Sequence, residues 1–172
     1  MDYLNWNKRQ KIKAAINDLC PTSHWRSVCA LSLNMKQAYR DRDGYSKYVC
    51  EIEAKKEFGK YCFELNRKIY KSAHRHHGKR LKIIPFIEKK EFGRWHYHLA
   101  IEPPEHLQAV EFCETAMALW ENTPLGYGHG MYKTNRDQGW IEYCAKHASK
   151  SFLETYSDCL DIDSLHNPVA SA

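Results

Sequence analysis

The 172-residue sequence has no apolar run of transmembrane length, no C-x-x-C pair and no G-x-x-x-x-G-K-[ST] loop. The first absence excludes a helical membrane span. The second, with seven cysteines at the irregular positions 20, 29, 50, 62, 113, 144 and 159, argues against a disulfide framework and a cysteine zinc site. Reduced, mostly buried thiols are expected instead. The third excludes a phosphate-cradling loop, so no nucleotide cofactor and no ATP-driven step are expected. The opening stretch MDYLNWNKRQ lacks the apolar core of a secretory leader. No internal repeat, low-complexity tract or linker interrupts the chain, which predicts one domain over 1–172, with a core at about 25–156 and a flexible C-terminal tail. What is present is a 43% hydrophobic composition, rich in Tyr, and a net charge of +5 with pI near 8.8. That balance suits a folded protein with a polyanionic partner.

Hydrophobic periodicity predicts the elements. Residues 8–19 read as a short helix ended by Cys20-Pro21. Residues 25–35 alternate as a first strand, with Val28, Ala30 and Ser32 on one face and Cys29, Leu31 and Leu33 on the other. After the loop 40–44, Tyr48, Ile52, Phe58, Cys62, Leu65 and Ile69 recur at helical spacing, predicting a helix from Tyr45 to about Ala73. Strands are expected at 80–89, 94–102 and 126–134, and helices at 105–121 and 137–156. Pro85 has no ladder donor, which puts the 80–89 strand at an edge or at a bulge. Setting the first helix aside, the order βαββαβ followed by a helix predicts an α+β, ferredoxin-like fold. Its antiparallel sheet would carry helices on one face and leave the other open for a site.

RWHYHLAI (94–101) is the stretch that asks for a function. Residues two apart on a strand share a face, so His96 and His98 project together, away from Trp95, Tyr97, Leu99 and Ile101. A hairpin centred on residue 92 pairs Glu88 with His96 and brings the carboxylate beside the two imidazoles. One carboxylate and two imidazoles with open positions suit a divalent cation such as Mn²⁺ or Mg²⁺. The same donor set also serves catalytic zinc.

WIEYCAKHASK (140–150) is the second constellation. Tyr143 and Lys146 stand at i and i+3 of the predicted last helix, and Lys150 extends their face. Tyrosine can act as a covalent nucleophile. Its hydroxyl ordinarily ionises near pH 10, so a nearby cation is needed to favour the phenolate. Y-x-x-K alone is a weak motif, and tyrosines on amphipathic helices usually pack.

Taken together, Glu88, the H-Y-H of 96–98 and Tyr143-x-x-Lys146 resemble the HUH endonuclease superfamily. Within it the chain looks most like the single-tyrosine rolling-circle replication initiators. LSLNMK (31–36) is similar to their first motif, over a resemblance spanning roughly 25–150. The position four residues after Tyr143 is His147, which departs from the two-tyrosine members. The resemblance implies metal-dependent nicking and rejoining of single-stranded or hairpin origin DNA through a 5′-phosphotyrosine. It makes Glu88, His96 and His98 the metal ligands and Tyr143 and Lys146 the catalytic pair. It further implies a prokaryotic cytoplasm, no membrane partner and a separate host helicase. Asn34, Lys36, Arg94 and Lys150 are the expected DNA contacts. Two alternatives share the fold: a single-tyrosine HUH transposase and a nucleic-acid-binding module without catalysis. A zinc hydrolase using the triad without Tyr143 is the third alternative.

Overall fold

The structure is a computed structural model that describes Asn7, Gln10, Lys11, Ala14, residues 25–89, 93–136 and 139–148, and Asp161. It is a mixed α+β fold built on a four-stranded antiparallel sheet. The chain runs β1 (Val28–Met35), β2 (Ala38–Arg40), β3 (Ser46–Tyr48), α1 (Glu51–Tyr70), α2 (Ser72–His77), β4 (Ile83–Lys89), β5 (Trp95–Ile101), α3 (Ala109–Glu121), β6 (Gly126–Arg136) and α4 (Gly139–Ala148). The sheet order is β4-β5-β1-β6, and β2 and β3 form a separate two-stranded ribbon. Pro85 sits on the edge strand β4, as its missing donor requires. Its carbonyl accepts a hydrogen bond from the Asp161 N–H at 3.1 Å.

Alternation along the strands divides the sheet into two faces. Cys29, Leu31, Leu33 and Met35 of β1 and Trp95, Tyr97, Leu99 and Ile101 of β5 all join one buried cluster with residues of α1 and α3. Phe58 of α1 stacks on Tyr97 with ring centroids 3.9 Å apart, and Tyr61 meets Trp120 of α3 edge-on at 5.2 Å. The Trp120 indole donates to the Asn34 carbonyl at 2.7 Å, which ties α3 to β1. Gly126 opens β6 against the end of α3, where a Cβ would lie 1.9 Å from the Trp120 carbonyl oxygen. Only glycine permits that approach. Pairing of β6 with β1 is irregular near Ser32–Asn34, and His129 there has φ 66°, as at a β-bulge.

Several expected boundaries move. The helix expected from Tyr45 begins at Glu51, because residues 38–48 form the β2–β3 hairpin. The Asp41 side chain accepts the N–H groups of Asp43 and Tyr45, and Gly44 adopts φ 86°, so the turn is closed before a helix can start. Tyr48 and Ile52, expected on the buried stripe, are 77% and 78% exposed. The Glu53 carboxylate accepts the Cys50 N–H at 3.0 Å and fixes the start of α1. Residues 105–108 are a turn before α3, and Val110 is exposed on it. The face expected to stay open is partly covered, since α4 lies against β4 and β5. Of the expected N-terminal helix only Gln10, Lys11 and Ala14 are described, all helical, and the 149–156 end of the last helix lies outside the described residues. Asp161, in the segment expected to be a loose tail, is buried and accepts the Tyr97 hydroxyl at 2.8 Å. Among the described residues Cys29, Cys50, Cys62, Cys113 and Cys144 are free thiols.

Candidate metal centre

The hairpin register decides the site. β4 pairs with β5 so that Glu88 faces His96 and Phe86 faces His98. β1 pairs with β5 so that Ser32 faces His98 and Asn34 faces His96. Directly paired residues share a face, so Glu88, His96, His98, Ser32 and Asn34 stand together, opposite the apolar cluster.

Glu88 Oε2 lies 3.4 Å from Nε2 of His96 and 3.4 Å from Nε2 of His98. The donor atoms of all three residues lie within 4.8 Å of one another, a candidate metal-binding triad. Separations of 3.4 Å are longer than a well-formed N–H···O bond. Donors on bonds of about 2.1 Å stand about 3.4 Å apart around a tetrahedral ion and about 3.0 Å apart, cis, around an octahedral one, so the spacing is close to that of a shared cation. The other ring nitrogens are held. His96 Nδ1 bonds the Arg94 carbonyl at 3.3 Å and His98 Nδ1 bonds Ser32 Oγ at 2.9 Å. A carbonyl only accepts, so with a cation at the triad a neutral His96 would keep its proton on Nδ1 and turn its Nε2 lone pair to the ion.

Glu88 is 7% exposed, a depth at which a carboxylate needs partners. The His96 ring, then the His98 ring, favours its charged form and holds its pKa well below the carboxylate range against the opposing effect of burial. Cys144 of α4 is buried nearby, and burial, then the Glu88 charge, pushes its thiol pKa up, so it stays protonated. Ile141 and Cys144 are thus the inward side of α4.

Tyr143 is on the other side of α4, 45% exposed. Its ring stacks on Trp140 at 5.1 Å, and Trp140 meets the His98 ring edge-on at 5.9 Å. The Trp140 indole donates to the Leu99 carbonyl at 2.9 Å, which pins α4 to β5. A pocket of about 440 Å³ is lined by residues that include Ser32, His98, Lys133, Trp140 and Tyr143. The expected nucleophile and one expected ligand therefore border the same cavity.

The other expected residues are placed as follows. Asn34 lies on the triad's face, and its amide donates to the His129 carbonyl at 3.0 Å. Lys36 Nζ donates to the Pro124 carbonyl at 2.8 Å, beyond the end of β1. Arg94 is exposed, with its guanidinium 4.1 Å over the Tyr127 ring. Lys146 falls within α4, but its side chain and the whole of Lys150 lie outside the described residues. Ser32 and Trp140 went unassigned in the sequence. The alternation of β1 put Ser32 on the polar face, but its pairing with His98 is a long-range contact. Trp140 stands three residues before Tyr143, the helical spacing that could have coupled the two.

Comparison with family models, curated proteins and solved structures returns no match for this chain. No described helix is long and apolar enough to cross a membrane.

Proposed function

We propose that the protein nicks and rejoins single-stranded DNA at a replication origin, with Tyr143 as nucleophile and a divalent cation at Glu88, His96 and His98. The observation that carries this reading is the pocket shared by His98 and Tyr143 on the face opposite the core. The element order and the sheet order β4-β5-β1-β6 support the ferredoxin-like arrangement on which HUH nucleases are built. Mn²⁺ or Mg²⁺, when bound, supplies positive charge to a non-bridging phosphate oxygen. The protein's own residues do the rest. Glu88 and the two imidazoles orient the site, with Ser32 and the Arg94 carbonyl setting the ring planes. The Tyr143 oxygen attacks phosphorus, its proton passes to solvent, the bond to the 3′-oxygen breaks, and the freed 3′-hydroxyl takes up a proton. The 5′-phosphotyrosine keeps the bond energy, so rejoining needs no nucleotide cofactor. Duplex origins then depend on a separate helicase or on an extruded hairpin.

The test is a denaturing gel with labelled single-stranded DNA from the protein's own replicon, with Mn²⁺ or with chelator. A metal-dependent protein–DNA band that survives boiling and is absent in Tyr143→Phe is expected. Cleavage that persists in Tyr143→Phe, without a covalent band, would replace this reading by a metal hydrolase. Absence of cleavage would leave a binding module.

A further inference from the structure

A second cavity opens at the end of the β4–β5 hairpin, where Lys89 and Trp95 pair on the face of the sheet opposite the triad. It measures about 450 Å³ and is lined by Gln37, Tyr48, Val49, Lys89, Gly93, Arg94 and Trp95. Lys89 and Arg94 adjoin the metal site through the backbone, since Lys89 follows Glu88 and the Arg94 carbonyl holds His96.

We infer that this cavity is a nucleotide subsite that takes a base of the single-stranded DNA whose cleaved phosphate lies at Glu88, His96 and His98. The inference rests on the nicking reading proposed above. Three observations carry it. First, among the described residues the lining is cationic and contains no carboxylate, and neither Lys89 nor Arg94 has a described carboxylate partner. Second, it offers one exposed ring, that of Tyr48. Tyr48 is 77% exposed on β3, and Trp95 forms the buried wall with Lys89 Nζ 5.1 Å from its ring centre. An exposed ring beside cations is how single strands are held without duplex geometry. Third, the exposed Gln37 brings an amide, which can both donate to and accept from a base edge. The wall is rigid, because the Trp95 indole donates to the Val49 carbonyl at 3.0 Å and the Val49 N–H donates to the Gln37 carbonyl at 3.0 Å. The volume is within the usual range for a small-ligand site. A larger groove between α1 and the end of α3 has Glu57 and Glu64 paired with Lys60 and Arg67, so it offers a phosphate chain no free cation among its described lining residues.

The test uses the full chain carrying Tyr143→Phe, so that DNA binds without being cut. Origin oligonucleotides carrying 5-bromodeoxyuridine at successive positions are irradiated and the linked peptides mapped by mass spectrometry. A crosslink to Tyr48 or Trp95 at one or two adjacent positions near the nick is expected. Fluorescence anisotropy then compares single-strand affinity. Tyr48→Ala is expected to weaken binding about tenfold and Tyr48→Phe, which keeps the ring, to restore it. Lys89→Ala is expected to reduce the slope of log affinity against log salt by about 0.7. Phe63→Ala, at the larger groove, is expected to bind as before. Crosslinks confined to the Trp140 pocket, or full affinity in Tyr48→Ala, would overturn the subsite while leaving the nicking reading intact. Failure of the Tyr143→Phe protein to bind single-stranded DNA at all would overturn both.

Discussion

The two faces of the central sheet are made by the same strands and do opposite work. On one, Leu31, Leu33, Tyr97 and Leu99 are fully buried under α1 and α3. On the other, Ser32, Asn34, His96 and His98 are only partly covered, and Glu88 is buried with its charge. Neighbouring residues such as Leu31 and Ser32, or Tyr97 and His98, therefore answer to different constraints. The period of two lets a single strand anchor the core and present the candidate metal triad, so the buried face positions the polar one. Substitutions one residue apart should separate stability from metal binding.

The largest effect is expected on the buried face. Leu31→Ala removes a fully buried side chain from the middle of β1 and should cost about 3 kcal/mol, read as a lower urea midpoint at an unchanged slope. Next comes the metal face. Saturating Mn²⁺ at a hundred times its dissociation constant should raise the unfolding free energy of the wild-type chain by about 2.7 kcal/mol. The gain should vanish with chelator and in Glu88→Gln, measured by denaturant titration with and without the ion. Ser32→Ala, next to Leu31 on the opposite face, should leave the urea midpoint nearly in place. It should nevertheless weaken Mn²⁺ binding about 10- to 100-fold by calorimetry, because the His98 ring loses its partner.

The smallest effect lies off both faces, at the start of α1. Glu53 accepts the Cys50 N–H and the Tyr39 hydroxyl, and these contacts, the backbone bond first, lower its pKa. A carboxylate with a lowered folded-state pKa adds stability above its unfolded value of about 4.3, and loses it as pH falls through the folded value. Glu53→Gln, which keeps an acceptor for the Cys50 N–H but loses the charge, should therefore lower stability slightly at neutral pH and converge with the wild-type chain below that range, in urea titrations across pH.

The parts of the site that were legible rest on local rules. The shared face of His96 and His98 follows from strand alternation, and the pairing of Glu88 with His96 from the hairpin's midpoint; the structure has both. Pro85 marked its edge strand because a missing N–H has a fixed consequence. Contacts between distant segments were not legible. The partner of His98 depends on the β1–β5 register, and nothing near Ser32 announces it. The β2–β3 hairpin was hidden because Tyr48 and Ile52, four residues apart, read as one helical face, although Ile52 stands six residues before Phe58 and so off the true core stripe, and the Asp41 turn closes the chain before the helix. The same hairpin supplies Tyr48 to the second cavity. The covering of β4 by α4 was likewise invisible, since the inward Ile141, Cys144 and Trp140 share one short helix with the exposed Tyr143 and with polar Glu142.

The central claim is that the polar face holds a cation beside Tyr143. Crystals soaked in manganese and measured near its absorption edge test this most directly. An anomalous peak bounded by Glu88 Oε2, His96 Nε2 and His98 Nε2, and lost in Glu88→Gln, is the expected result. Fully loaded crystals with no peak at these three atoms would contradict it.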